Sequence, residues 1–146
     1  MSNRVTDIGN LLKKIYRSYS ADLIFQLETK GYMDLRVSFL DILTFIIENP
    51  SGPSIKEIGV FCGLKKQTMT GHLNELIKRG YIEKKSGLKD KREQRIFLTD
   101  YGMKFQFDYR EVIQKLELDF INDFGEVELD RIRSILSEFY QKINND

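Results

Sequence analysis

Residues 64–99 read LKKQTMTGHLNELIKRGYIEKKSGLKDKREQRIFLT, and their polar side chains recur at spacings that suit contact with a nucleic acid. Leu64, Met69, Leu73, Leu76 and Ile77 form one apolar helical stripe, which leaves Lys66, Gln67, Thr70, Gly71, Asn74 and Lys78 largely on the opposite side. Amides on such a face can pair with adenine, and ammonium groups reach phosphates or guanine. Beyond Gly80 the period changes to two. Tyr81, Glu83 and Lys85 alternate with Ile82 and Lys84, and Arg95, Phe97 and Thr99 alternate with Ile96 and Leu98, which predicts two short strands. Between them Ser86, Gly87, Leu88, Lys89, Asp90, Lys91, Arg92 and Glu93 make a polar turn too long for a two-residue hairpin. A projecting basic tip calls for an anionic surface.

Charge is concentrated here. Residues 54–98 hold eleven Lys or Arg and five Asp or Glu, a balance of +6 inside a chain of net charge +1, so the remainder carries −5. That asymmetry directs attraction for phosphates at one module.

The elements that position these groups follow from local signals. Lys78 and Arg79 complement the dipole of the helix end, and Gly80 supplies its left-handed stop. Upstream, Ser54 and Glu57 have capping-box spacing after Pro53, and Ile55, Ile58 and Phe61 give a short amphipathic helix ending near Gly63. Two helices joined by a tight Gly-containing turn make a helix-turn-helix, and the hairpin adds a wing. This arrangement reads double-stranded DNA.

Four further helices are expected around the module. Ile8, Leu11, Leu12, Ile15, Tyr16, Tyr19, Leu23 and Leu27 predict a helix over 6–29, ended by Gly31. Val37, Leu40, Ile42, Leu43, Phe45, Ile46 and Ile47 predict the most buried helix, stopping before Asn49 and Pro50. Two more are expected over 100–122 and 126–143, separated by Gly125. The first helix and the last two carry apolar stripes longer than a small winged module can cover, so a homodimer is expected, with two reading helices about one DNA turn apart on a pseudo-palindromic site.

The fold class is therefore mainly α with a small β-hairpin wing, a single domain at 146 residues. Its parts are a winged helix-turn-helix over 33–99 and dimerisation helices over 5–30 and 100–146. With one histidine, His72, and one cysteine, Cys62, neither a zinc site nor an internal disulfide is expected. There is no glycine-rich phosphate loop and no nucleophile motif, so neither an enzyme nor a cofactor is expected. The longest apolar stretch, 37–47, is broken by Ser38, Asp41 and Thr44, so no signal peptide or membrane span is expected and the cytoplasm is the default location.

With these residues in place, the chain resembles the MarR family of winged-helix transcriptional regulators. The resemblance rests on Asp90 and Arg92 in the family's Asp-x-Arg wing positions and on the Leu98–Thr99 pair, at this spacing after the Lys-Arg-Gly helix end. It implies that Lys65, Lys66, Gln67, Thr68, Thr70 and Asn74 line a major-groove face. It also implies that Lys89, Lys91 and Arg92 carry the wing's contact, with Arg92 reaching the minor groove or its phosphates, braced by Asp90. Gly71 stands where arginine is common in the family, so the resemblance implies one contact fewer on this face.

The family further implies a ligand-responsive repressor. Small aromatic or phenolic effectors would bind near Tyr16, Tyr19, Phe39, Phe45, Phe105 and Tyr109, although aromatics at helical spacing are more often core. Peroxide-sensing members carry their cysteine in the first helix, where this chain has none; Cys62 reads as a small core residue and His72 as a partly buried structural one. Against DNA reading stands a winged-helix module that binds only protein, which the +6 balance disfavours.

Overall fold

In the computed structural model, which describes residues 3–87 and 89–145, Met1, Ser2, Asp146 and the expected tip residue Leu88 lie outside the described residues. Six helices and one hairpin follow in order: α1 Arg4–Thr29, α2 Val37–Glu48, α3 Ile55–Cys62, α4 Lys66–Lys78, β1 Ile82–Ser86, β2 Gln94–Leu98, α5 Asp100–Phe124 and α6 Glu126–Asn144. The chain divides into two compact units, Met1–Tyr109 and Arg110–Asp146, with the division inside α5.

The first unit is built around α2. Phe39, Leu40, Ile42, Leu43, Ile46 and Ile47 are all buried, as an almost wholly apolar helix requires. Leu23 and Leu27 from α1, Ile58 from α3, Met69, Leu73 and Leu76 from α4, and Ile96 from β2 are buried in the same core. The earlier part of the α1 stripe behaves differently, since Ile8, Leu11, Ile15, Tyr16 and Tyr19 are exposed. Of the expected α3 stripe only Ile58 is buried, because Phe61 instead stacks at the surface on Phe45, ring centroids 4.6 Å apart.

Local chemistry sets the boundaries. Asn3 caps α1 by accepting from the Thr6 amide at 2.9 Å, and Ser54 Oγ accepts from the Glu57 amide at 3.1 Å. Gly63 is left-handed between α3 and α4, which makes the helix-turn-helix turn. In the hairpin Ile82 faces Leu98 and Ser86 faces Gln94 in antiparallel register. A bridge between Ser54 and Arg95 ties β2 to the start of α3, and the Arg95 guanidinium donates to the Gly52 carbonyl at 2.7 Å.

The second unit contains the end of α5 and all of α6. No residue of α6 is buried, and Val127, Ile132, Ile135, Leu136, Tyr140 and Ile143 are exposed on it. Gly125, with φ of 84°, makes the break between the helices.

Candidate nucleic-acid interface

The α4 surface is built from the residues that its apolar stripe leaves outside. Met69, Leu73 and Leu76 are buried, while Lys65, Lys66, Gln67, Thr68, Thr70, Gly71 and Asn74 are exposed. Gln67, Thr68 and Asn74 form no side-chain hydrogen bond among the described residues, so their donors and acceptors face solvent. Thr70 is less free, since its hydroxyl donates to the Lys66 carbonyl at 2.9 Å. At Gly71 nothing lies within 4 Å of where a Cβ would sit, so its position is open space on the helix surface.

The wing tip is shaped by Asp90, through the backbone. Its Oδ1 accepts from the Arg92 amide at 2.9 Å, and its carbonyl accepts from the Glu93 amide at 3.1 Å. This Asx turn braces Arg92 without engaging its guanidinium, which forms no ion pair among the described residues. Lys89, Lys91 and Arg92 are all exposed.

Not every cation of the module points outward. Arg79 donates to the Asp34 carbonyl and to Glu75, and its guanidinium lies 5.0 Å from the Phe39 ring centroid. Arg95 pairs with Glu93 at 3.3 Å, and Lys85 with Glu83 at 3.2 Å. These pairs cancel, and the +6 balance sits on Lys56, Lys65, Lys66, Lys78, Lys84, Lys89, Lys91 and Arg92, offset only by Glu57 and Asp90.

Two tight junctions hold α4 and the wing in place, and spacing alone did not reveal them. Thr99 Oγ1 accepts from the Gly102 amide at 3.0 Å, capping α5, while its hydroxyl donates to the Gly80 carbonyl. The Leu98–Thr99 pair thus joins the end of the wing to the end of α4. The second junction surrounds Tyr32 and Tyr81, both buried against Phe105. Tyr81 donates to Asp34 at 2.9 Å and Tyr32 to Asp108 at 2.5 Å. Burial, reinforced by these carboxylates, pushes both phenols well above the usual tyrosine range, so they stay neutral donors.

The six aromatic residues expected around an effector join different packing groups. Phe39 packs edge-on against His72 at 5.3 Å beneath α4, so His72 is partly buried, as its position on the helix implied. Phe45 pairs with Phe61, and Phe105 belongs to the Tyr32–Tyr81 group, with Tyr109 stacked on it at 6.0 Å. Burial pushes the Tyr19 and Tyr109 phenols above the usual tyrosine range, and Tyr16 donates to Asp41 at 3.4 Å.

Cys62 is half-buried rather than a core residue. Burial, with the Asp41 carboxylate adding to it, pushes its thiol up to about 11. A raised value leaves little thiolate at neutral pH, so alkylation by iodoacetamide at pH 7 is expected to be at least about tenfold slower than for an unperturbed thiol. A thiol assay on the folded and the denatured chain, at equal pH, measures this directly.

Comparison with known proteins agrees with this architecture. Residues 34–93 match the model of the MarR family. No curated protein matches the sequence. Among solved structures, a MarR transcriptional regulator from Methanosarcina mazei Go1 is similar with TM-score 0.78 at 19% identity, over 94% of this chain and 96% of that one. FabT of Streptococcus pneumoniae, solved in complex with DNA, has TM-score 0.78 at 20% identity, over 97% and 98%. PcaV of Streptomyces coelicolor, solved with its natural ligand, has TM-score 0.71 at 17% identity, over 97% and 96%. Residues 34–93, which hold the helix-turn-helix, β1 and the wing tip, thus match the MarR family model, and the chain as a whole has the winged-helix fold of these solved structures.

Proposed function

We propose that this protein is a cytoplasmic, sequence-specific regulator of transcription that binds a pseudo-palindromic site in double-stranded DNA as a homodimer and represses until a small effector releases it. The observation that carries the DNA reading is the pairing of an exposed α4 face, bearing Gln67, Thr68 and Asn74, with a wing whose Arg92 guanidinium is unpaired among the described residues. Gln and Asn offer bidentate pairing to adenine, and the surrounding lysines attract phosphates. FabT, whose structure contains DNA, supports the same reading, and PcaV with its ligand supports effector control.

The dimer reading is supported by the second unit, where α6 has no buried residue and exposes six large apolar side chains. A helix pair of this kind needs another apolar surface to be stable in water.

Selection of duplexes from a random pool, followed by shift assays across a salt series, tests the function. Affinity should fall steeply as salt rises, with a slope of about −0.9 per phosphate neutralised. Absence of a complex even at low salt overturns the reading in favour of a protein-binding module. Within a selected site, Asn74→Ala is expected to cost about 1–3 kcal/mol and to relax preference at one base pair. Arg92→Ala should weaken every duplex and leave the mass of the dimer unchanged. If Arg92→Ala binds as well as the parent, the wing assignment is wrong.

A further inference from the structure

Gly71 stands in the interior of α4, where glycine weakens a helix relative to alanine by giving up more backbone freedom on folding. Nothing within the chain requires it. Its backbone is helical and not among the positive-φ glycines, and no atom lies within 4 Å of where its Cβ would sit. Gly102 differs, since a Cβ there would run into the Tyr81 carbonyl. Gly9 on α1 is equally open but lies outside the basic module.

The setting of Gly71 on the helix directs attention outside the chain. Gln67 precedes it by four residues, and Asn74 and Lys78 follow by three and seven, so all four share one exposed face, turned away from the buried Met69, Leu73 and Leu76. Gly71 thus interrupts a row of long polar side chains near its middle.

We infer that, given the DNA reading above, this gap seats the methyl group of a thymine in the major groove, which makes Gly71 a determinant of base specificity. The backbone amide and carbonyl of a mid-helix residue are bonded within the helix, so a bare position offers van der Waals contact and no hydrogen bond. Among the base edges of the major groove, only thymine presents an apolar projection. Its methyl group matches in size the side chain that separates glycine from alanine. The neighbours agree, because the amides of Gln67 and Asn74 suit the adenine edge, and a face that reads adenine also meets its paired thymine. An arginine at this position would instead reach guanine or a phosphate.

A methyl exchange between protein and DNA tests this. In a duplex selected by the parent chain, each thymine is replaced in turn by uracil, which removes the methyl group alone. One position in each half-site should lose about fourfold in affinity per methyl removed, the worth of one buried methyl group. Gly71→Ala should bind the thymine duplex at least about tenfold more weakly, because two methyl groups then compete for one space. On the uracil duplex the same variant should come within about threefold of the parent on thymine, since one methyl has replaced the other. Thermal unfolding should show Gly71→Ala no less stable than the parent, which separates loss of binding from loss of fold.

Three results overturn the inference and leave the DNA reading intact. They are undiminished binding of the thymine duplex by Gly71→Ala, no thymine whose methyl matters to the parent, and a uracil penalty of equal size in parent and variant at every position. A parent chain that binds no duplex overturns both.

Discussion

Ile132→Asp is expected to convert the protein to a monomer and, secondarily, to abolish binding to a paired DNA site. Ile132 lies on α6, 44% exposed within the single chain, beside the still more exposed Ile135. Because the side chain is already exposed within its own chain, its replacement costs less intrachain packing than a core substitution would. If two chains associate through this surface, a two-fold axis presents the new carboxylate twice, and each would lose water without gaining a partner. Stranding one unpaired charge costs about 3–5 kcal/mol, and the symmetric pair more, which weakens dimerisation by well over a hundredfold. Sedimentation analysis at micromolar concentration should give the mass of one chain, with helical circular dichroism retained. A variant that remains dimeric removes α6 from the interface.

Gly102→Ala is expected to lower stability by about 3 kcal/mol, near the upper end for an overpacked site. The added Cβ would sit 2.1 Å from the Tyr81 carbonyl oxygen and 3.1 Å from the Leu98 side chain. The first of these is backbone at the entry to the wing, which cannot swing aside as a side-chain tip could. Relief therefore has to come from moving α5 away from the Gly80–Tyr81 segment, breaking the Thr99 bonds that join them. Thermal unfolding should show a Tm lower by roughly 6–12 °C, the shift that ~3 kcal/mol produces in a protein of this size. Gly71→Ala provides the contrast. With nothing within 4 Å of its Cβ position and a regular helix around it, it should gain up to about 1 kcal/mol of helix stability. Equal losses in the two variants would count against the close approach at Gly102.

Much of the architecture was legible because short-range physics sets it. The apolar spacing of Leu73 and Leu76, the almost unbroken hydrophobicity of α2, and the stops at Gly31, Gly63, Gly80 and Gly125 needed no partner segment to be read. The strands lie within a residue of their expected positions for the same reason. Where spacing misled, a distant neighbour had intervened. Phe61 occupies a stripe position on α3, yet its ring found Phe45 at the surface instead of the core. The six aromatic residues could be placed on their helices from sequence, but which ring meets which depended on how those helices cross.

The basic module shows the same division at the level of charge. Its +6 balance was countable in the sequence, as were the polar side of α4 and the wing's Asp-x-Arg pair. Only the folded chain decided that Arg79 and Arg95 turn inward to carbonyls and carboxylates, while Arg92 stays open above an Asx turn. The Thr99 junction and the buried tyrosine–carboxylate pairs likewise belong to the tertiary structure alone. Periodicity and capping act over a few residues and leave their mark in the local sequence. A cavity, a Cβ-free approach or a hydrogen bond spanning tens of residues exists only once separate elements have packed, and no local pattern encodes the geometry of that encounter.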